Sequence, residues 1–147
     1  HASGGRRMME AARESLDRFS DRPLLIGVTI LTSLGDEDLA EIGFTGSAAQ
    51  NVGRLAALAA SAGLDGVVCS AQEAAWLRTQ HAPDFHLVTP GIRPRGAEEG
   101  DQKRIMTPAD AITAGATYLV VGRPVTQATD PGNVLTAINN EIAQALR

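Results

Sequence analysis

Two stretches of this chain combine the pattern of a buried strand with an arginine. Residues 87–94 read LVTPGIRP, and residues 119–124 read LVVGRP. Each is an apolar, β-branched run that stops at Gly, Arg and Pro, as expected of a parallel strand that brings a guanidinium and free backbone N–H groups to one rim of a sheet. These groups together bind phosphate oxygens. An isolated Gly-Arg-Pro is more often a rim salt bridge, but the pattern occurs twice here, so we predict that Arg93 and Arg123 face a phosphate.

The elements that must position these arginines alternate between strands and helices. The apolar patterns predict strands at 24–31, 66–69, 86–89 and 118–121. Helices are predicted at 8–19, 51–62, 71–79, 107–114 and 132–146, with a short helix after Asp36. Strands that are apolar on both faces and alternate with helices indicate a parallel α/β architecture in a single domain, 1–147. A strand spacing of roughly 30 residues suits a barrel as well as an open sheet.

Composition narrows the class of protein. The chain has 147 residues, a formal net charge of −4 and a sequence pI near 5.3, and it is shorter than the roughly 250 residues of a closed (β/α)8 barrel. No basic stripe is interleaved with aromatic residues, so we expect no nucleic acid and no membrane as partner. The single cysteine, and the lack of a signal-like pattern or a long apolar run, predict a cytoplasmic protein. The three histidines have no metal-ligand spacing, so no metal site is predicted.

Several further side chains have a structural interpretation that the sequence favours. Thr32 and Ser33 could hydrogen-bond a heterocycle, but capping the next helix is the favoured role. Ser70 and Glu73 have the spacing of a capping box. Cys69 is interpreted as a core residue, and Trp76 as packing between a helix and the sheet.

The loop that follows the third predicted strand is long and polar. Residues 94–103 contain two glycines, Asp101 and Gln102, which suits a mobile lid whose tip folds onto a bound ligand. Its plainer interpretation is a solvated loop. Lys103, in this loop, is the only lysine of the chain, and no cluster of Asp and Lys follows any predicted strand.

Five tracts, in order, resemble bacterial orotidine 5′-phosphate decarboxylases. They are residues 24–33 (LLIGVTILTS), 63–70 (GLDGVVCS), 87–94 (LVTPGIRP), 100–104 (GDQKR) and 121–124 (VGRP). The resemblance covers the chain from His1 to its carboxyl terminus and is therefore more specific than a single glycine-rich motif. It implies a (β/α)8 barrel that works as a homodimer. It also implies conversion of orotidine 5′-phosphate to UMP and CO2 without a metal or cofactor.

Carried over residue by residue, the resemblance places the phosphate of the nucleotide at the last strand. It implies that Arg123 and the Gly122 N–H bind the phosphate dianion, and that Gln102 arrives from the closing loop. Arg93, at the base of that loop, is implied to face the same end of the nucleotide. Binding of a remote phosphate would then close the loop over a dry, preorganised cavity.

The pyrimidine end of the nucleotide is implied at the first and third predicted strands. Thr32 and Ser33 would lie beside the ring, and one of them would hydrogen-bond its amide edge. Pro90 would pack near the ring.

The family's catalytic array, in contrast, has no counterpart in this sequence. In the family, carboxylates of an alternating Lys-Asp-Lys-Asp array crowd the substrate carboxylate, and a lysine protonates C6 as CO2 leaves. The resemblance implies that this array lies upstream of His1, and that the chain is the carboxyl-terminal part of a barrel, strands 5–8, without the amino-terminal strands. No catalytic residue is therefore assigned in this chain, and we expect it to bind phosphate weakly and not to decarboxylate alone.

Two other functions stay open at this point. One is another phosphate-binding barrel of the same superfamily that acts on a sugar phosphate, because Arg123 would recognise phosphate and not a base. The other is a non-catalytic, nucleotide-binding half-barrel. Protection from thermal unfolding by UMP but not by a pentose phosphate would favour orotidylate over the first of these.

Overall fold

A computed structural model of the chain describes residues 1–96 and 100–146. Within these residues, four strands alternate with helices. The strands are β1 (Ile26–Val28), β2 (Gly66–Val68), β3 (His86–Thr89) and β4 (Tyr118–Leu119). The helices are α1 (Arg6–Asp17), α2 (Asp36–Glu41), α3 (Ala48–Ser61), α4 (Ala71–Gln80), α5 (Pro108–Thr113), α6 (Arg123–Thr126) and α7 (Pro131–Ala145), and a 3-10 turn at Ala2–Gly4 precedes them.

The strands form one parallel sheet whose order is the order of the chain, β1-β2-β3-β4. Val28 of β1 is in register with Val68, which is in register with Val88 of β3, and Val88 is in register with Tyr118 of β4. The alternation of parallel strands and helices that the sequence predicts is confirmed. Because all four strands run the same way, the loops after β1, β3 and β4 leave the sheet at the same edge.

Three of the four strands, β1, β2 and β4, are shorter than their apolar patterns predict. The pattern predicts a first strand at 24–31, whereas β1 is Ile26–Val28. The Leu25 N–H donates to the Asp65 carboxylate at 2.6 Å, so it does not enter the ladder. Past the other end of β1, Thr29 N still donates to Val68 O at 3.1 Å. Apolar patterns indicate burial, and burial extends further along the chain than the hydrogen-bonded ladder does.

One face of the sheet packs against the helices. Val67, Cys69, Leu87 and Thr89 alternate along β2 and β3 and their residual exposure is zero. The interpretation of Cys69 as a core residue is therefore confirmed. The main core contains the following buried residues: Ala2, Met9, Ile30, Leu39, Ala48, Val52, Ala56, Ala59, Ala62, Leu64, Val67, Cys69, Ala74, Leu77, Phe85 and Leu87.

The opposite face of the sheet is apolar but only half-covered. Val28, Val68 and Val88 form a row on this face, and each is of intermediate burial. Tyr118 and Val120, which alternate with the inward Leu119, are 50% and 49% exposed. An isolated, exposed apolar side chain is ordinary, but a continuous apolar sheet face is a surface that other protein elements cover.

Side-chain caps set the helix starts. The Ser47 hydroxyl accepts from Gln50 N, and the Gln50 side chain accepts from Ser47 N, so α3 begins at Ala48, three residues before the predicted start at 51. At α5, the Thr107 hydroxyl accepts from Asp110 N at 3.2 Å, in agreement with the predicted start of that helix. Each such cap satisfies an N–H that has no partner within the helix.

The predicted N-cap at Ser70 is confirmed, but the predicted packing of Trp76 is wrong. The Ser70 hydroxyl accepts from Gln72 N, and the ionised Glu73 carboxylate is stabilised both by Arg104, with which it pairs, and by the Ser70 N–H. Trp76 does not lie between helix and sheet: it is 47% exposed and covers Gly53 of α3, where a Cβ would lie 2.4 Å from the indole. A helix outside a sheet has two neighbouring helices as well as the sheet, and the sequence pattern does not distinguish those contacts.

The last part of the chain carries a short helix between β4 and α7. Gly122 precedes α6, which starts at Arg123 with Pro124 in its first turn. None of the helices in the described parts of the chain is both long and apolar enough to cross a membrane.

Candidate functional site

The predicted site residues follow the carboxyl ends of three strands. Thr32 comes after β1, Pro90 and Arg93 after β3, and Arg123 after β4. In parallel α/β proteins this edge of the sheet is where ligands bind. Residues 97–99 of the predicted lid lie outside the described residues, but the segment 100–106, which returns from the lid, is described. We call residues 100–106 the return segment.

Thr32 contacts the return segment. Its side chain is 5% exposed, and its hydroxyl donates to Gln102 Oε1. Lys103 N donates to Thr32 O at 3.2 Å, so the return segment is also held to the backbone at this position. The favoured prediction that Thr32 or Ser33 caps the next helix is wrong. The residue that precedes α2 is Gly35, whose N–H donates to the Asp38 carboxylate at 2.6 Å.

Gly91 lets the return segment approach β3 closely. Its φ is +76°, a conformation that L side chains rarely adopt, and a Cβ there would lie 2.7 Å from Arg104 O and 3.5 Å from Gln102 Oε1. On either side of this contact, Arg93 N donates to Met106 O at 2.9 Å and Met106 N donates to Gly91 O at 3.4 Å. The glycine of the predicted Gly-Ile-Arg-Pro motif is therefore required by a close backbone approach.

Arg123 contacts the other part of the return segment. Its side chain is 45% exposed and pairs with the Asp101 carboxylate. Gly100 lies against the guanidinium, since a Cβ there would be 3.0 Å from Arg123 Nη1. The hydrogen bond from Arg123 lowers the pKa of Asp101, which keeps that carboxylate ionised at neutral pH. Gly122 precedes Arg123, and among the described residues no atom beyond its immediate chain neighbours lies within 4 Å of the position of a Cβ on it.

One hydrogen-bonded chain connects the two ends of the site. The Thr32 hydroxyl donates to Gln102 Oε1, Gln102 Nε2 donates to Asp101 Oδ1 at 3.4 Å, and the Arg123 guanidinium donates to the same Asp101 oxygen. No specific contact was predicted for Asp101, although Asp101 lies next to Gln102 in a tract that carries the resemblance. We call this set, Thr32-Gln102-Asp101-Arg123, the polar chain.

The remaining predicted site residues, Arg93, Pro90 and Ser33, are less exposed than Arg123. Arg93 is 7% exposed, and its Nη1 donates to Ile92 O at 2.9 Å. Pro90 and Ser33 are half-buried in the loops after β3 and β1. The structure therefore brings Thr32, Gln102 and Arg123 together through direct contacts, and it places the guanidinium of Arg93 inside the molecule.

Lys103 has a structural partner. Its ammonium lies 2.6 Å from Asp38 Oδ2, and its side chain is 54% exposed. This hydrogen bond lowers the pKa of Asp38. Lys103 therefore connects the return segment to α2.

Two residues of this region were missed because their partners are far away in sequence. Arg104 and Glu73 form an ion pair whose side chains are 10% and 7% exposed. In the sequence, Glu73 looked like the third residue of a capping box, and Arg104 looked like a loop cation. The signal that could have found them is the family tract 100–104, of which Arg104 is the last residue.

Comparison with solved structures first defines the class of fold. A crystal structure of orotidine 5′-phosphate decarboxylase from Lactobacillus acidophilus matches with a TM-score of 0.80 at 37% identity, over 97% of this chain and 61% of that chain. An uncharacterized conserved protein from Geobacillus kaustophilus matches with a TM-score of 0.76 at 39% identity, with the same coverage of 97% and 61%. The four parallel strands and their helices are thus part of a (β/α)8 barrel, with the candidate site at the carboxyl ends of the strands.

Sequence comparison then gives the family. The model of the orotidine 5′-phosphate decarboxylase / HUMPS family matches residues 1–138, and the chain belongs to this family. Relatives named orotidine 5′-phosphate decarboxylase include one from Aliivibrio fischeri, 62% identical over 147 residues, and one from Hydrogenovibrio crunogenus, 65% identical over 144 residues. These matches cover 99% and 98% of this chain but 63% and 61% of the relatives. The resemblance found in the sequence is confirmed.

Proposed function

We propose that this chain is the nucleotide-binding part of an orotidine 5′-phosphate decarboxylase, the enzyme that converts orotidine 5′-phosphate to UMP and CO2. The proposal rests on the family of the chain and on one structural observation, the polar chain. Two consecutive residues of the return segment contact the residue proposed for the pyrimidine end, Thr32, and the residue proposed for the phosphate, Arg123. A ligand with both a phosphate and a polar ring would engage both ends of this segment.

The roles of the residues follow from their positions. Arg123 supplies a half-exposed guanidinium, and Gly122 leaves open space beside it for a phosphate to approach the backbone N–H. Thr32 and Ser33 lie at the pyrimidine end, with Pro90 near the ring. Gln102 connects the return segment to Thr32, so that phosphate binding at Arg123 helps to order the segment over the ring. Energy from the remote phosphate would in this way assemble the site.

The bond-breaking step requires groups that we assign outside this chain. The resemblance implies a Lys-Asp-Lys-Asp array on strands that precede His1, so the chain would comprise strands 5–8 of the barrel in one domain. In that arrangement the described residues bind and orient the nucleotide and exclude water. The array destabilises the substrate carboxylate and protonates C6. We use the term parent enzyme for the protein that contains this chain together with those strands.

The alternative of a sugar-phosphate barrel differs in what recognises the ring. A pentose phosphate would engage Arg123 but would offer no amide edge to Thr32 or Ser33. The parent enzyme should therefore be protected from thermal unfolding by UMP and much less by ribose 5-phosphate. Equal protection by both ligands would favour the sugar-phosphate function.

Substitution of Arg123 tests the phosphate site. In the parent enzyme, Arg123→Ala should weaken UMP binding by about 1.5–3 kcal/mol, or roughly 10- to 150-fold, because a charge-assisted contact to a dianion is lost. Arg18 provides the matched control: it is an exposed arginine that ends α1, ahead of β1 and so at the opposite edge of the sheet from the site. Arg18→Ala should change the affinity less than twofold. Isothermal titration with UMP measures both, and equal affinity of Arg123→Ala and wild type would remove Arg123 from the site.

Assembly and location are also part of the proposal. The resemblance implies a homodimer with sites at the interface between subunits, and the composition of the sequence favours the cytoplasm. Sedimentation equilibrium of the parent enzyme should give twice the subunit mass, and a monomer at micromolar concentration would contradict this.

A further inference from the structure

Arg104 is a buried arginine at the end of the return segment, two residues after Gln102. Its side chain is 10% exposed, although it belongs to a polar tract of a loop. Nη1 pairs with the Glu73 carboxylate of α4, and Nη2 donates to Ile30 O at 3.2 Å and Leu31 O at 3.0 Å, just after β1. One guanidinium therefore joins the return segment to α4 and to the end of β1.

The backbone beside Arg104 is fixed to the same elements. The Ser70 hydroxyl lies 3.5 Å from Arg104 O, and Gln72 Nε2 donates to Ile105 O at 3.3 Å. Gly91 allows Arg104 O to approach β3. The return segment is thus attached to the ends of β1, β2 and β3 immediately after Gln102, whereas Asp101, on the other side of Gln102, has a side chain that is 63% exposed.

Burying the ion pair of Arg104 and Glu73 costs desolvation free energy, so the pair is a weak source of stability by itself. Both side chains are taken out of water, and within the described residues Glu73 Oε2 and Arg104 Nε have no hydrogen-bond partner. Burial raises the pKa of Glu73, and the positive charge of Arg104 opposes that shift. Because desolvation offsets most of the attraction in such pairs, burial of this pair is weak evidence of added stability, and fixing one geometry is a role that such pairs have in other proteins.

We propose that Arg104 and Glu73 are positioning residues that hold Gln102 in place to contact Thr32 and thereby close the site over the nucleotide. This inference rests on the proposed function, and it extends that function to two residues that do not touch the ligand. Removal of either partner would let the return segment shift, and Gln102 would lose its alignment although its side chain is intact.

The test is a double-mutant cycle in the parent enzyme. Glu73→Gln keeps the size of the side chain and removes the charge, and Arg104→Met removes the guanidinium. Each is combined with Gln102→Ala, and kcat/KM for orotidine 5′-phosphate is measured for wild type, single and double variants. Thermal unfolding of every variant shows that it is folded at the assay temperature.

Coupling between the sites is the expected result. With Gln102 present, Glu73→Gln and Arg104→Met should each lower kcat/KM by about tenfold or more, but in the Gln102→Ala background the further loss should be less than about threefold. If the fold losses are the same in both backgrounds, or if neither variant loses activity, the inference is wrong. Gln72→Ala removes an exposed side chain that contacts the same segment, so it tests the coupling again without uncovering a buried charge.

Arg78 is the matched control for a merely structural arginine. It also lies on α4, but it donates to Gly115 O at 2.9 Å, to Phe85 O at 2.6 Å and to Thr117 Oγ1 at 2.7 Å, near the amino-terminal ends of β3 and β4. Arg78→Met should lower the unfolding temperature without any coupling to Gln102→Ala. A wild-type parent that neither binds UMP nor decarboxylates would overturn the proposed function and this inference together. An active wild type without coupling would overturn the inference alone.

Discussion

Cys69 illustrates how position decides the chemistry of a single side chain. The thiol lies directly after β2 in the main core with no residual exposure. Burial, with a smaller contribution from the Glu73 carboxylate, raises its pKa to about 12. Since the thiolate is the reactive form, the thiol is almost entirely in its unreactive form at neutral pH.

We therefore predict that Cys69 resists alkylation in the folded protein. Native parent enzyme treated with iodoacetamide at pH 7.5 should carry no label on the peptide that contains Cys69, whereas the urea-unfolded protein should be labelled fully. Mass spectrometry of the digested peptide measures both. Rapid labelling of the native protein would show that the end of β2 opens to solvent.

Gly91 is the residue at which backbone conformation and the site are most closely linked. We predict that Gly91→Ala weakens UMP binding in the parent enzyme by threefold or more, because a Cβ would displace the return segment that it contacts. Gly43 is the control: its φ is +91°, but nothing lies within 4 Å of the position of its Cβ. Gly43→Ala should cost about 1–2 kcal/mol of stability, the ordinary cost of a left-handed non-glycine residue, and leave UMP affinity unchanged. Titration of both variants with UMP shows whether affinity is lost through backbone strain, which both substitutions introduce, or through displacement of the return segment, which only Gly91→Ala causes.

Among the elements, a cluster of charged side chains around Asp65 connects α1 to the start of β2, at the edge of the sheet opposite the site. Its carboxylate accepts from Arg22 at 2.8 and 2.9 Å and from Leu25 N at 2.6 Å, and Arg13 lies 3.4 Å away. The hydrogen bond from Arg22 is the main cause of a lowered pKa of Asp65, and burial opposes it. A carboxyl whose pKa is lower in the folded than in the unfolded state stabilises the fold above its unfolded pKa, and this stability is lost as the pH falls through the folded value.

Asp65→Asn should therefore destabilise the protein at pH 7 and matter less in acid. We expect a loss of about 1–3 kcal/mol at pH 7, because Arg13 and Arg22 lose their charged partner. The difference from wild type should decrease between about pH 5 and pH 2. Asp17→Asn is the control, since Asp17 also pairs with Arg13 but its side chain is 58% exposed, and it should change stability by less than half as much. Urea unfolding at several pH values measures the two variants, and a constant loss across the pH range would contradict the assignment.

The elements also show which parts of the fold were accessible from sequence. β3 was predicted at its observed bounds, because Leu87, Val88 and Thr89 form an apolar, largely β-branched run that ends at Pro90. The N-cap at Thr107 could also be predicted, because its signal lies in adjacent residues. The packing of Trp76 and the capping role of Thr32 were predicted wrongly, and the ion pair of Glu73 was missed, because in each case the partner comes from an element that the local pattern does not reveal. The family tracts predicted that the site lies at the carboxyl ends of the strands and includes Arg123. They did not predict the contacts of Asp101 with Arg123 and of Arg104 with Glu73.

At the scale of the whole molecule, one apolar face of the sheet is only partly covered by the rest of the chain. Val28, Val68 and Val88 form an apolar row there, and Tyr118 of β4 and Val120, just after β4, continue the face at about half exposure. In a closed barrel such a face is the packed interior. The proposal that further strands precede this chain accounts for the face directly.

We predict that the 147-residue chain produced alone self-associates. It should elute from a sizing column well above its 15.4 kDa mass and bind a hydrophobic dye, because the apolar face and the strand edges would be open. Val120→Lys should reduce association of the isolated chain but destabilise the parent enzyme, in which that position would be enclosed. Leu135→Lys, at an equally exposed position on α7, should do neither. A monodisperse monomer that unfolds cooperatively and does not bind the dye would contradict the prediction.

The order of the strands bears on synthesis at the ribosome. Within the described residues, β2, β3 and β4 each pair with the strand just before them in the chain, and each crossover joins neighbouring strands. As the polypeptide emerges, β2, β3 and β4 each find a partner that has already been made. The edge that β1, β2 or β3 offers to the next strand therefore stays uncovered only until that strand has left the exit tunnel, whereas the outer edge of β4 stays open until the barrel closes.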